Sequence, residues 1–352
     1  MSIVAIITDT HWGCRNDSTI FIEFYRKFYR DVFFPTIDRL GIDTVLMLGD
    51  TFDRRKYTNH VSIKAAREIY FDELQKRNIK THIIVGNHDI FYKNTLEVNT
   101  VQLLLGDYKN ITPIANPQTI EVGGVKICMI PWICPDNYDA SMEELKTTTA
   151  EICMGHLEVA GFQMYRGMES HDGLNPSLFS KFDTTFSGHY HHRSTRGNIT
   201  YLGTPYEITW QDYNDQKGFH IFDLDTRELE FIPNPLVMFT KLDYDDKDQE
   251  PIDLDVLDLK DQYVKLVVVN KTDYYKFDQF VNKLYTKGAY DIKILEDFSE
   301  FSDADVATTV NLEDTLSILS TYIDSVQTDL DKEKIKTYMK GLYAEALNVE
   351  EI

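Results

Sequence analysis

The chain of 352 residues carries 57 acidic and 36 basic side chains, a formal charge of −21 at pH 7. That balance excludes the broad basic surface that drives nonspecific nucleic-acid binding. With 43% hydrophobic and 26% charged residues, the composition also excludes a disordered chain.

No apolar run approaches the ~20 residues needed to cross a bilayer, so no membrane association is expected. The opening MSIVAIITD lacks a basic leader and reads as a first strand. Four cysteines (Cys14, Cys128, Cys134, Cys153) form no CxxC pair and are too sparse for a disulfide framework. A reducing compartment follows, and a cytoplasmic location is expected.

In chain order, short β-rich apolar runs fall at 3–8, 44–48, 81–85, 125–130, 151–154 and 184–187, most ending in a polar or glycine turn. Between the early ones, 20–40 and 60–78 have helical spacing, with a kink or break expected at Pro35. Strands alternating with helices predict an α/β core whose buried strands are too apolar to alternate. Charge shifts along the chain: residues 1–240 sum to −8 and residues 241–352 to −13. Acidic 243–261 reads as a linker or edge. A β-α-β pattern then spans 263–269, 274–285 and 291–295, predicting a small second domain. Two amphipathic helices close the chain. Leu316, Leu319, Tyr322 and Ile323 lie on one apolar face, and Tyr338, Met339 and Leu342 on the other helix's face.

The strand ends deliver a specific chemistry. They carry Asp9-x-His11, Gly49-Asp50-x-x-Asp53, Gly86-Asn87-His88-Asp89, Gly155-His156 and Gly188-His189-x-His191. Ligands bind at the carboxyl ends of strands in open α/β sheets, and glycine permits the tight turn that aims the next side chain. Any one piece is an ordinary turn, but coincidence at all five is very improbable. Mixed carboxylate, carboxamide and imidazole donors suit Mn²⁺, Fe²⁺ or Zn²⁺ better than an all-oxygen cage. There are too many donors for one ion, and a pair ~3.5–4 Å apart forms a clamp for displacement at phosphorus. The other histidines (His60, His82, His171, His192, His220) read as bystanders, and Cys14 as a core residue.

This ordered set resembles the calcineurin-like metallophosphoesterases. The stretches TDTHWG, GDTFDRR, IVGNHD, MIPW and SGHYHHR further resemble the nuclease subunits of SbcCD-type double-strand-break repair complexes, T-even-like phage members included. The motifs cover roughly residues 1–235, and the remainder matches in layout. The resemblance implies a four-layer α/β/β/α sandwich over 1–237, a small α+β capping domain over 238–305, and a C-terminal helical hairpin over 306–352. It implies that Asp9, His11, Asp50 and His191 bind one metal, with Asp50 bridging to a second held by Asn87, His156 and His189. Mn²⁺ is the expected ion, with Mg²⁺ as the alternative. His88 is then expected to assist the leaving 3′-oxygen or stabilise the phosphorane, with Asp53 orienting its ring.

The metal set gives phosphoester hydrolysis without a substrate. Arg54, Arg55 and Lys56 after the GDxxD loop, and Arg193 and Arg196 after GHxH, tilt the reading towards DNA as local phosphate contacts. Each taken singly is an ordinary solvated loop charge, and Arg54 equally suits a phosphomonoester. The family further implies 3′-to-5′ exonuclease and single-strand endonuclease activity. It implies a homodimer, for which 60–78 and 96–105 are candidate surfaces. It also implies docking of the terminal helices on an SMC-like coiled-coil ATPase, since the chain carries no phosphate-binding GxxxxGK[ST] loop of its own. The rival readings are a protein or small-molecule phosphatase or phosphodiesterase using the same site, and a non-catalytic scaffold.

Overall fold

The computed structural model describes residues 3–165, 168–247, 252 and 254–296, with isolated helical positions at 323, 332, 334–336 and 339. Met1–Glu296 form one compact unit. Its first sheet runs, in spatial order, Leu229–Pro233, Gly218–Asp223, Ile3–Ile7, Thr44–Met47, Lys80–Ile84 and Ile111–Ile114. The last four are mutually parallel, and Gly218–Asp223 adds antiparallel to Ile3–Ile7. The second sheet runs Ser194–Arg196, Ile199–Tyr201, Thr184–Gly188, Ile152–His156, Val125–Ile130 and Gln118–Val122.

Strand alternation sorts the core into layers. Val4, Ile6, Leu46 and Leu48 meet Ile127, Met129, Ile152 and Met154 between the two sheets. Their neighbours Ala5, Ile7, Val45 and Met47 face the helices over the first sheet. Cys128, Ile130 and Cys153 pack with Leu145 of the helix Tyr138–Thr147 on the outer side of the second. The four-layer sandwich expected from the sequence is the fold observed.

The helical run from Thr19 to Leu40 is continuous, and Pro35 does not break it. A π turn at Tyr29–Phe33 precedes the proline, and the Phe34 N–H reaches back to the Tyr29 carbonyl. A wider turn relieves the clash of the ring with the preceding carbonyls, which is the cost of proline inside a helix. Helix Thr19–Phe28 presents Phe21, Phe24, Tyr25 and Phe28 inward, so an aromatic layer lies behind the loops after the first two strands.

A third sheet is built from Phe239–Asp245, Tyr263–Asn270 and Asp291–Glu296, all parallel, with the helix Tyr274–Thr286 over a separate apolar core. Residues 243–245, expected in a linker or edge, belong to its edge strand. Among the described residues no helix is long and apolar enough to cross a membrane. The hairpin expected over 306–352 lies outside the described residues apart from a few isolated helical positions.

Candidate metal centre

The motif-bearing loops leave adjacent strand ends of the two sheets and meet in one cleft. Asp9, His11, Asp50 and His189 all hold positive φ, at 51°, 42°, 50° and 88°. Side chains other than glycine avoid this region, at a cost of order 1–3 kcal/mol each, and strain of this kind clusters at functional sites. The sequence places the turn-making burden on the glycines. Gly49 does take φ 98°, but Gly86 and Gly188 serve close approach. A Cβ on Gly86 would run into the Asp50 carboxylate, and one on Gly188 into Thr8 and the Leu48 carbonyl.

Two groups of donors face one another. Asp9, His11 and His191 form one, and Asp50, His156 and His189 the other, with ligand atoms within 4.8 Å in each; His11 recurs in a third group of the same closeness with Asp53 and His88. Asp50 stands between them, its Oδ2 3.8 Å from His11 Nε2 and 3.3 Å from His156 Nε2. Its Oδ1 accepts from the His88 N–H at 2.8 Å. Asn87 joins the second group, with Oδ1 2.8 Å from His156 Nε2 and 2.9 Å from His189 Nδ1. The His156 Nδ1 is satisfied by the Leu48 carbonyl at 2.7 Å, which leaves Nε2 turned into the cleft.

The donor set fits divalent cations. Asp9 and Asp50 are buried, 0% and 2% exposed, and the groups that face them are imidazoles rather than lysine or arginine. Isolated buried carboxylates are costly unless paired or ligated. His11 Nε2 and His191 Nε2 point at each other across 3.2 Å. Burial pushes His11 down, but Asp53, Asp50 and Asp9 together raise it to about 9. Burial likewise opposes charge on His156, yet Asp50 carries it to about 9. Asp50 would rise on burial, but His156 and His88 hold it well below the usual carboxylate range. Burial and the neighbouring His11 push His191 to about 3, so its ring is neutral and ready to ligate. Burial, with Asp50 beside it, raises the Asp9 carboxyl, and cations bound there would displace the protons that these groups favour.

The predicted residues divide into those the fold brings together and those it employs elsewhere. The seven predicted ligands converge, and His88 lies beside them, its ring edge-on to His11 at 4.9 Å. The expected pairing of the Asp53 carboxylate with His88 is not what the structure shows. His88 Nδ1 lies 2.5 Å from the main-chain carbonyl of Asp53, whereas the Asp53 carboxylate sits 3.2 Å from His11 Nδ1. The turn that carries Asp53 presents its carbonyl to one histidine and its side chain to the other.

Arg54 donates to Asp17, Asn16 and the Tyr57 hydroxyl, so it braces the loops around it. Arg193 lies over the Phe231 ring at 4.1 Å. Arg196 donates to the Gly161 carbonyl at 2.9 Å and lies 3.6 Å from Glu169. Arg55 is half-buried and Lys56 exposed on the same loop as Arg54. Of the terminal-helix positions, Leu316, Leu319, Tyr322, Tyr338 and Leu342 lie outside the described residues, while Ile323 and Met339 are helical.

Three contributors carried no assigned role in the sequence. Asp89 is fully buried and accepts from the Thr51, Phe52 and Gly86 N–H groups at 3.0, 3.1 and 2.9 Å, tying the GDTFD loop to GNHD. Trp132 packs its ring 5.0 Å from His189 and 6.0 Å from His156. Lys217 is buried and reaches the His191 carbonyl. Asp89 and Trp132 stand in the quoted GNHD and MIPW stretches, whereas Lys217 has no local signal.

Comparison with known proteins agrees with this geometry. Residues 3–193 match the family described as calcineurin-like phosphoesterase. The chain is 34% identical over 309 residues to exonuclease subunit 1 of Enterobacteria phage T4, covering 87% of this chain and 88% of that one. It is 26% identical over 268 residues to the DNA double-strand break repair protein Mre11 of Methanocaldococcus jannaschii, covering 69% and 62% respectively. A third relative is a component of the nuclease SbcCD of Staphylococcus epidermidis, 23% identical over 274 residues and 67% of each chain.

Proposed function

Because this chain belongs to the calcineurin-like phosphoesterase family, whose members hydrolyse phosphoesters with divalent cations, we propose that it is a two-metal DNA nuclease. The observation that carries the choice of a nuclease is the similarity over most of both chains to a phage exonuclease subunit, and the weaker similarity to a DNA double-strand break repair protein supports DNA as its substrate. The converging donors support the chemistry. Asp9, His11 and His191 would hold one cation, Asn87, His156 and His189 the other, and Asp50 would bridge. The mixed oxygen and imidazole set favours Mn²⁺. Bound there, the cations supply Lewis acidity towards the phosphoryl oxygens and lower the pKa of a water.

The chain's own residues do the rest. His88 stands at the rim of the centre, its Nδ1 held by the Asp53 carbonyl, which leaves Nε2 to face a substrate. From that atom it delivers a proton to the departing 3′-oxygen or hydrogen-bonds the crowded phosphoryl group. Trp132 packs its ring against His189, 5.0 Å away, and so helps to hold that imidazole in place. Arg54, Arg55, Lys56, Arg193 and Arg196 would supply local positive charge for backbone phosphates, while Arg54, Arg193 and Arg196 also contact their neighbouring loops.

The reading extends to 3′-to-5′ exonuclease and single-strand endonuclease action within a complex. Residues 238–305 form the cap, and 306–352 dock a coiled-coil ATPase, which supplies the nucleotide chemistry this chain lacks. A homodimer forms through 60–78 and 96–105, where Val61 and Leu103 are exposed. The four cysteines are free thiols and buried, which suits a reducing cytoplasm.

The test is an assay of the full chain with Mn²⁺ on end-labelled duplex and single-stranded DNA, beside a phosphopeptide and a generic phosphodiester. DNA cleavage that His88→Ala abolishes is expected. Phosphopeptide turnover with inert DNA would replace the nuclease by a phosphatase.

A further inference from the structure

We propose that Asp53 is a positioning residue for the metal ligand His11, acting through its carboxylate, rather than a partner of His88. This rests on the reading of the cleft as a two-metal centre. A ligating imidazole needs its second nitrogen anchored, most often by a carboxylate or carbonyl, and that anchor sets ring orientation and ligand basicity. His11 Nε2 faces Asp9, Asp50 and His191 at 3.9, 3.8 and 3.2 Å, so it is the nitrogen turned into the cleft. Nδ1 therefore carries the proton and looks away from it.

The acceptor beside that proton is Asp53 Oδ1 at 3.2 Å. The contact is close but not aligned as a hydrogen bond, so a buried ring nitrogen stands without a fully formed partner. Such contacts tighten when a site is loaded. A small rotation of either side chain completes this one: the His88 ring lies near the same carboxylate, but the hydrogen bond it makes to residue 53 goes to the main-chain oxygen. The backbone of residue 53 serves one histidine and its side chain serves the other. Substitution at 53 thus leaves the His88 anchor in place and removes that of His11.

The two possible partners of Asp53 predict different behaviour. If the carboxylate acts on His11, its loss weakens cation binding. If it acts on His88, metal affinity is unchanged and only the pH dependence of turnover moves.

The experiment is calorimetric titration of Mn²⁺ into the metal-stripped, full-length protein and its Asp53→Ala, Asp53→Asn and His88→Ala variants, with circular dichroism to confirm folding. Asp53→Ala is expected to weaken one binding event by about 10–100-fold, the usual cost of losing such an anchor. Asp53→Asn keeps an acceptor oxygen and is expected to lose less. His88→Ala is expected to bind Mn²⁺ like the parent. Should Asp53→Ala fail to fold, Asp53→Asn decides alone. Folded Asp53 variants with parental Mn²⁺ affinity would overturn the assignment. A parent protein that binds no Mn²⁺ would instead sink the two-metal reading on which it rests.

Discussion

The ammonium of Lys217 donates to the main-chain carbonyl of His191 at 2.8 Å. The same group pairs with Asp212 Oδ1 at 2.8 Å and Asp215 Oδ2 at 2.9 Å, all three side chains being buried or nearly so. A structural ion cluster thus fixes the backbone that presents one predicted metal ligand. Removing one partner of a buried ionic cluster strands the others, at about 3–5 kcal/mol. Lys217→Met is expected to lose stability on that scale in urea unfolding. A variant within about 1 kcal/mol of the parent would show that the cluster contributes nothing net.

Asp89 gathers three main-chain N–H groups from two loops. Asparagine keeps the shape but turns an NH₂ towards donors, so one or two of them lose their acceptor. Each buried donor left unpaired costs about 1–3 kcal/mol. Asp89→Asn is expected to lower stability by that amount. It is also expected to lower turnover at least tenfold, because Asp50 and His88 lie on the loops it joins. Unchanged thermal unfolding together with unchanged turnover would refute the bracing role.

His88 touches the centre through its backbone N–H to Asp50 and groups with His11 and Asp53 rather than with the donors around Asp9 or Asp50. His88→Ala is expected to retain bound metal while losing about 10²–10⁴-fold in cleavage rate, the range for a positioned proton donor. Elemental analysis alongside single-turnover kinetics checks both halves. Loss of an ion on substitution would make His88 a ligand.

Glu207 ties the sandwich to the third sheet, its Oε2 accepting from the Met238 and Phe239 N–H groups at 2.6 and 2.9 Å. Burial outweighs those hydrogen bonds and pushes the carboxyl from 4.5 up to about 7. Between these values the folded protein keeps a proton that the unfolded chain releases. The associated stability is therefore full below about pH 4.5 and lost as pH rises through about 7. Its size is on the order of 2–3 kcal/mol. Glu207→Gln, which cannot ionise, should gain stability relative to the parent by that amount as pH rises from about 4.5 to 7.5. Parallel stability curves for the two proteins would rule the linkage out.

Much of this site was legible because each motif is local. A strand, a tight turn and a donor occupy about ten consecutive residues, so the pieces carrying Asp9, Asp50, Asn87, His156, His189 and His191 can each be read locally, and their recurrence at five strand ends gives the signal that no single piece carries. The layered fold was legible for a similar reason, since apolar runs at strand length alternate with helical spacing in the first hundred residues. Several strands were missed: Ser194–Arg196 and Leu229–Pro233 are half-exposed and carry no periodic signal, whereas Gly218–Asp223 lies inside the sheet, buried on both faces and so without alternation. Pro35 was read from its intrinsic preference, which a π turn then accommodated.

What the sequence determined by itself was the kind of chemistry, because donor type and the strand-end position of each donor are properties of short segments. What the tertiary structure alone decided was which atom meets which. That Asp53 offers its carbonyl to His88 and its carboxylate to His11 depends on the relative placement of three loops. That Lys217 reaches His191 across 26 positions depends on how the chain returns to the sheet. Such contacts are set by packing between distant segments, and no local pattern of residue types encodes them.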